Sequence, residues 1–282
     1  MRTLKTGFLL TLLTLILVLG GGAIAGRQGM TFGLIIAVLM NGIAYFFSDK
    51  IALASSGARP VSREEAPRLY GVMERLAAKG NLPMPKLYVI PQAAPNAFAT
   101  GRNPSHASVA VTEGLLELMN DDELEGVIAH ELSHVRNYDI LTTSIAATLA
   151  GAITWIARLG FYFGGYGGDR NRRGGGGLEA LLMLIVAPLA ALLIQLGISR
   201  QREYAADAAG ARLVGHPYGL ISALEKLGAY NKRIPMTNVS PATSSLYIVR
   251  PLSSGQVLAG LFSTHPPLPD RIETLRRMTV TR

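Results

Sequence analysis

The chain reads LEGVIAHELSHVRNYD from residue 124 to residue 139. Residues four apart share one face of an α-helix, so the two histidines of HELSH (130–134) can reach one zinc ion while Glu131 flanks it. Chance gives about 0.004 such patterns in a chain of this composition. Two exposed histidines on an ordinary helix are the alternative, but the apolar Val127 and Ile128 argue against it. The stretch predicts a helix that carries metal chemistry.

The residues before this helix predict a small sheet with helices around it. Ser62 and Glu65 form a capping-box pattern that opens an amphipathic helix ending at Gly80. Asn120 is the expected N-cap of the HELSH helix, and three acidic residues follow it. Short β-like segments occupy residues 86–90, 97–100 and 107–112.

The composition of the 282 residues restricts the classes of protein that remain. Only 16% of the residues are charged and 49% are hydrophobic, which is not typical of a soluble domain. There is no cysteine, so disulfides and thiolate metal sites are excluded and any metal ligands must be His, Asp or Glu. The net charge is +8, but the basic residues are dispersed, which does not favour a nucleic-acid partner.

Four hydrophobic runs interrupt the chain and point to a lipid bilayer. They are residues 6–26, 30–48, 140–163 and 180–199. The first run also resembles a signal peptide cleaved after Ala25, which would release a secreted protein. The last two runs have an alternative as well, a hydrophobic hairpin that packs on a soluble core without crossing the membrane.

These runs divide the chain into four parts. They are a hydrophobic hairpin at 1–49, a polar block at 50–139, a second hydrophobic hairpin at 140–199 with a Gly/Arg-rich loop at 164–177, and a polar block at 200–282. An even number of spans places both polar blocks on one side, and Arg2 and Lys5 predict that this side is the cytoplasm. The three arginines of the loop disagree with that orientation.

A catalytic zinc usually has three protein ligands, and the segment SRQREYAAD (199–207) supplies candidates for the third. Glu203 is suited to bind the metal, and Asp207, one turn later, is suited to accept a hydrogen bond from a ligand histidine. The residues alone do not decide this, because a helix with two acids and two arginines is commonly a salt-bridged surface.

Three segments, HELSH, SRQREYAAD and FSTHPPLPDRI (262–272), resemble in order and spacing the HtpX-type membrane zinc endopeptidases, distant relatives of the CaaX prenyl proteases. The resemblance implies one zinc per chain, held by His130, His134 and Glu203. It also implies that Glu131 is the catalytic base and that Asp207 supports a ligand. The fold class implied is α+β, a mainly helical zincin-like (gluzincin) membrane protein with a small sheet and about four transmembrane helices, whose two polar blocks form the protease domain.

Further expectations follow from the same resemblance. His265 is expected to stabilise the oxyanion, and the segment NAFATG (96–101) is expected to be an edge strand that contacts substrate through Asn96 and Phe98. The implied substrates are misfolded membrane proteins, cleaved at the cytoplasmic face of the cell (inner) membrane by a multi-pass enzyme. A non-catalytic zinc-containing scaffold is the main competing class, and the intact Glu131 argues against it because a structural zinc needs no free carboxylate beside it.

Overall fold

The structure is a computed structural model that describes residues 2–164, 200–231, 246–249 and 266–278. We number the helices and strands of these ranges in chain order. The helices are α1 (Arg2–Ser55), α2 (Pro67–Gly80), α3 (Glu113–Leu118), α4 (Asp121–Arg136), α5 (Asp139–Gly164), α6 (Arg200–Val214), α7 (Tyr218–Asn231) and α8 (Leu268–Arg276), with a 3₁₀ turn at Pro104–His106. The strands are β1 (Arg59–Pro60), β2 (Lys86–Ile90), β3 (Ala97–Gly101) and β4 (Ala107–Thr112).

The four strands form one mixed sheet in the order β1-β2-β4-β3. β2 and β4 are parallel, and β3 pairs antiparallel to β4 with Ala97 opposite Val111. The three predicted strands are confirmed, and β3 extends one residue further than expected, to Gly101. Within the described residues β3 forms one edge of the sheet, yet all five of its residues are buried.

The start of α2 differs from the prediction. The capping interactions form, with the Ser62 N–H donating to a Glu65 carboxylate oxygen at 2.7 Å, but they close a separate turn. The helix itself begins at Pro67, because Ala66 has φ −134° and ψ 57° and a residue before proline avoids helical angles. Proline at the first helical position is favourable, since its missing N–H would have no partner there.

Helix α1 consists of two arms that fold back on each other. The helical angles break at Ala25 and at Gly26, whose φ of 56° lies in the left-handed region that glycine adopts without strain. The Asn41 side-chain amide donates to the Leu10 carbonyl at 3.2 Å and to the Thr14 hydroxyl at 2.9 Å, which joins the two arms. These hydrogen bonds satisfy polar groups inside an otherwise apolar hairpin.

The second arm of α1 carries the membrane signal of the structure. Among the described residues, Ala25–Ser55 is the helix long and apolar enough to cross a bilayer, and Thr6–Gly22 and Asp139–Ala152 are shorter apolar helices. Large apolar side chains on the second arm point away from the protein. Residues 180–199 and most of the 164–177 loop lie outside the described residues, so the expected total of four transmembrane helices stays a prediction.

Helix α4 packs against α2, α6, α7 and β3. Its predicted cap is confirmed, because the Asn120 side chain accepts from the Glu123 N–H and the Glu123 carboxylate accepts from the Asn120 N–H, both at 2.9 Å. Ser222 and Lys226 of α7 donate to the same carboxylate at 2.6 and 2.7 Å. The start of the motif helix is thereby fixed to α7.

Candidate metal centre

The structure brings the two histidines of α4 and one glutamate of α6 together. His130 and His134 lie one turn apart, with their Nε2 atoms separated by 3.2 Å. Glu203 faces them, with Oε1 at 3.5 Å from the Nε2 of His134 and Oε2 at 3.8 Å from the Nε2 of His130. One candidate ligand atom from each side chain lies within 4.8 Å of the others.

The chemistry and spacing of these three groups fit a zinc ion. Imidazole nitrogens and a carboxylate oxygen are common zinc ligands, with bond lengths of about 2.0–2.2 Å in a tetrahedral arrangement. Tetrahedral bonds of that length place neighbouring ligand atoms about 3.3 Å apart. The two Nε2 atoms are 3.2 Å apart, and each lies 3.5 or 3.8 Å from a different oxygen of Glu203, so a small rotation of that carboxylate would give one oxygen the required distances to both.

A glycine allows the two ligand helices to approach this closely. A Cβ atom on Gly210 of α6 would lie 3.0 Å from the His130 nitrogen and 3.1 Å from the Ala129 carbonyl carbon. Any larger residue would therefore push α6 away from α4. Gly210 follows Glu203 by two helical turns, so it sets the helix separation on the face that carries the ligand.

Asp207 lies in contact with the first histidine. Its Oδ1 lies 2.8 Å from the Nδ1 of His130, which directs the Nε2 lone pair of that ring toward the metal position. Burial would raise the pKa of Asp207, but the charge and hydrogen bonds of Arg271, together with His130, lower it to about 2. The Asp207 carboxylate is therefore ionised across the physiological pH range.

Arg271 is the part of this site that the sequence reasoning did not assign. Its guanidinium is fully buried and donates to both Asp207 carboxylate oxygens at 2.7 and 2.8 Å. It also donates to the Ile248 carbonyl at 3.0 Å. A buried carboxylate beside other acids requires a nearby cation. The arginine of the FSTHPPLPDRI segment was therefore the residue that sequence reasoning could have assigned to Asp207.

Glu131 is 2% exposed and does not belong to the ligand group. Burial raises the pKa of its carboxyl, the two imidazoles oppose that shift, and the charge of Glu203 adds to it. The nearby Ala99 backbone on β3 also opposes the rise. A carboxylate with a raised pKa beside the metal position is suited to accept a proton near neutral pH.

The electrostatics at His134 favour a cation. Burial alone would lower the pKa of this imidazole, but the hydrogen bond to Asp139 and the charges of Glu203 and Glu131 raise it to about 9. The surrounding carboxylates therefore stabilise positive charge at this position, as a divalent metal ion would require.

The predicted substrate residues are buried. The Asn96 amide donates to the Val249 carbonyl at 2.6 Å, and the Phe98 ring packs edge-to-face on Tyr247 with ring centroids 5.1 Å apart. The Ile248 N–H donates to the Ala97 carbonyl at 2.9 Å, so residues 246–249 lie along part of the β3 edge. The substrate role of Asn96 and Phe98 stays a prediction, and His265 lies outside the described residues.

The model of peptidase family M48 matches residues 63–279. The chain belongs to peptidase family M48. It is 56% identical to a "Protease HtpX homolog" of Desulfatibacillum aliphaticivorans over 96% of this chain and 88% of that one. A relative with the same description from Syntrophotalea carbinolica is 53% identical over 99% of this chain and its own full length.

Among solved structures, the fold is similar to that of S. mikatae Ste24p. The TM-score is 0.52 at 21% sequence identity, and the match covers 97% of this chain and 64% of that protein. The resemblance drawn from the three motifs is thus confirmed at the level of the family. The chain is a metalloprotease that hydrolyses peptide bonds, with a His-His-Glu group that can hold a metal ion and a candidate membrane helix.

Proposed function

We propose that this M48 protease is an integral membrane endopeptidase that holds one zinc ion through His130, His134 and Glu203. The observation that carries the proposal is the convergence of these three side chains beside the buried, non-ligating Glu131. A structural zinc site would need no such carboxylate. The bound zinc supplies a Lewis acid that polarises the scissile carbonyl and lowers the pKa of water.

The chain's own residues then perform the proton transfers. Glu131 accepts the proton of the attacking water, because burial raises its pKa toward the working range of a general base. The protonated carboxyl later delivers that proton to the leaving amine. Asp207 and Arg271 keep the His130 ring in one orientation throughout.

We assign oxyanion stabilisation to His265. Its neighbour Pro266 leads into α8, and Arg271 on that helix lies with Nη1 3.9 Å from Glu203 Oε2, so the segment that follows His265 reaches the site. A His265→Gln variant is expected to lower kcat while its zinc content stays at the parent value. Unchanged kcat would remove His265 from the reaction.

For substrate binding we propose the edge of β3 that faces away from β4, within the segment NAFATG (96–101). The Ala97 carbonyl faces away from β4, since it accepts from the Ile248 N–H, and the backbone of Ala99, two residues further along the strand, faces the same way. Because residues 246–249 already occupy Ala97, the substrate backbone is expected to pair beyond it, next to Glu131. Asn96 and Phe98 contribute by fixing the strand against residues 246–249. Main-chain pairing gives the loose specificity that misfolded substrates require.

The orientation in the membrane is also a proposal. Asp139, the first residue of the apolar helix α5, is in contact with His134, so the metal position lies close to the start of that helix. A site there can engage misfolded membrane proteins at the bilayer surface, and the N-terminal basic residues favour the cytoplasmic face of the cell membrane. Cysteines introduced at Gly80 and Thr281 are expected to be labelled from the cytoplasm and one at Gly167 from the opposite side. Cytoplasmic labelling at Gly167 would show that residues 140–199 do not cross.

The deciding experiment compares Glu131→Gln with the parent, both purified in detergent with one equivalent of zinc. The variant is expected to retain zinc and to lose cleavage of an unfolded membrane-protein substrate, because the amide cannot accept the proton. Glu125→Gln, on the same helix and away from the ligands, is the matched control and should cleave normally. A parent that binds zinc and cuts nothing would favour the scaffold alternative, and a mature chain beginning at Gly26 would favour the secreted one.

A further inference from the structure

A second carboxylate–arginine pair lies beside the metal position, in contact with the other histidine. Asp139 Oδ2 lies 3.4 Å from the Nδ1 of His134, and Asp139 Oδ1 lies 3.4 Å from Nη1 of Arg202. All three side chains are mostly buried. The arrangement parallels the His130–Asp207–Arg271 chain on the other ligand.

The backbone between α4 and α5 places Asp139 there. A residue five positions after His134 would not face it on a continuous helix. Tyr138, however, has φ 59°, a left-handed conformation uncommon for tyrosine, and it ends α4 so that α5 starts in a new direction. Strain of this kind persists where the surrounding structure requires it. This turn places the Asp139 carboxylate next to the His134 imidazole.

The positions of the pair in the fold join three helices at the site. Asp139 is the first residue of α5, where the helix dipole stabilises a negative charge. Arg202 directly precedes the ligand Glu203 on α6. Through this pair the second histidine, the third ligand's helix and the apolar helix α5 are held in one arrangement.

We propose that Asp139 is a positioning residue for His134, and that Arg202 acts through it. Asp139 accepts the Nδ1–H of His134 and so fixes the tautomer that presents Nε2 to the metal, and Arg202 keeps the carboxylate in place. This inference rests on the proposed zinc site and adds to it a link between ligand orientation and the apolar helix. General second-sphere chemistry of metal-bound histidine makes such a partner worth about 10- to 100-fold in affinity.

The test measures Zn²⁺ affinity of the full-length protein in detergent by competition with a chromogenic chelator. Asp139→Ala is expected to weaken Zn²⁺ binding by about 10- to 100-fold, and Asp139→Asn, whose amide oxygen can still accept from Nδ1–H, is expected to recover part of the loss. Arg202→Met should weaken binding less in the parent and have no further effect in the Asp139→Ala background. The visible spectrum of the Co²⁺-substituted protein should change in Asp139→Ala, because the ligand ring is no longer held.

Asp121→Ala is the matched control. Asp121 is also the first residue of a helix and is paired with an arginine, Arg68, but it lies at the far end of α4. It should lose little stability, because its side chain is 75% exposed, and it should keep parent Zn²⁺ affinity and the parent Co²⁺ spectrum. Parent-like affinity in Asp139→Ala, or equal losses in Asp121→Ala, would overturn the positioning role. Glu203→Ala separates the two hypotheses: if it retains Zn²⁺, the metal site itself is wrong, whereas if it loses Zn²⁺ and Asp139→Ala does not, only this inference fails.

Discussion

Replacing Gly210 by alanine places one methyl group between the two helices that carry the proposed zinc ligands. That methyl would lie 3.0 Å from the His130 nitrogen, whereas ordinary contacts begin at 3.4 Å. The obstacle is backbone and cannot rotate aside, so α6 must retreat by about 0.4 Å or α4 must bend. Glu203 moves with α6.

The size of the effect differs between stability and metal binding. Overpacking costs about 1–3 kcal/mol, but alanine gains about 1 kcal/mol of helix propensity over glycine, so the net loss of unfolding free energy is about 0–2 kcal/mol. Zinc binding has no such compensation, because the helix is formed with and without the metal. A displacement of about 0.4 Å exceeds the ±0.2 Å tolerance of metal–ligand distances. We expect zinc affinity to fall by about 10- to 100-fold, the equivalent of about 1.4–2.8 kcal/mol.

The assay is chelator competition for zinc, run beside thermal unfolding of the zinc-free protein. Gly71→Ala in α2 is the matched control, because a Cβ there would meet only the flexible end of Arg75 at 3.8 Å. It should bind zinc as the parent does and be slightly more stable. If Gly210→Ala binds zinc as tightly as Gly71→Ala, the close helix approach does not set the ligand distances and the reasoning is refuted.

Three other predictions concern the proposed ligands, the N-terminal cap of α4 and the hydrogen bond between β3 and α5. Glu203→Ala should nearly abolish zinc binding, and Asp207→Ala should weaken it by about 10- to 100-fold. If titration gave the Glu203 variant the same zinc affinity as the parent, a different residue would have to be the third ligand. Glu123→Gln should lower the free energy of unfolding by about 1–3 kcal/mol at pH 7. Burial would raise the pKa of Glu123, but hydrogen bonds lower it, so the carboxylate stabilises the fold above its unfolded pKa of about 4.3 and loses this effect as the pH falls through the folded pKa. The difference in melting temperature between variant and parent should therefore disappear at acidic pH. A difference that does not change with pH would contradict this. The Thr100 and Ser144 hydroxyl oxygens are 2.7 Å apart, so Thr100→Val removes the Ser144 hydroxyl's partner and should lower the free energy of unfolding by about 1–3 kcal/mol. Adding Ser144→Ala should restore much of that stability. A double variant as unstable as Thr100→Val would show that the two hydroxyls are not coupled.

Local rules explain which parts of the molecule the sequence predicts well. The spacing within HELSH fixes a shared helix face, so the pairing of His130 and His134 needs no tertiary information. Alternation and capping residues similarly predict β2, β4 and the start of α4. Glu203 is different. Its own segment is equally typical of a salt-bridged surface helix, and only the family resemblance implies that Glu203 is a metal ligand.

The partners behind the ligands depend on tertiary geometry. Arg271 reaches Asp207 from a helix far along the chain, and no periodicity relates the two. Asp139 follows His134 by a spacing that helical rules reject, and it returns to the ring through the left-handed Tyr138. The predicted start of α2 was wrong because the proline after Ala66 disfavours helical angles there, in spite of a good capping box.

The separation of the three proposed ligands along the chain has a consequence for biosynthesis. A ribosome makes His130 and His134 first, then the apolar runs of 140–163 and 180–199, and only afterwards Glu203. The arginine that orders Asp207 follows later still. With the proposed ligand set, a nascent chain therefore holds two histidines and Glu131 but no complete metal site until both apolar runs have been made. The proposed metal site is thus complete only once Glu203 has been made, so cleavage cannot precede the synthesis of both apolar runs.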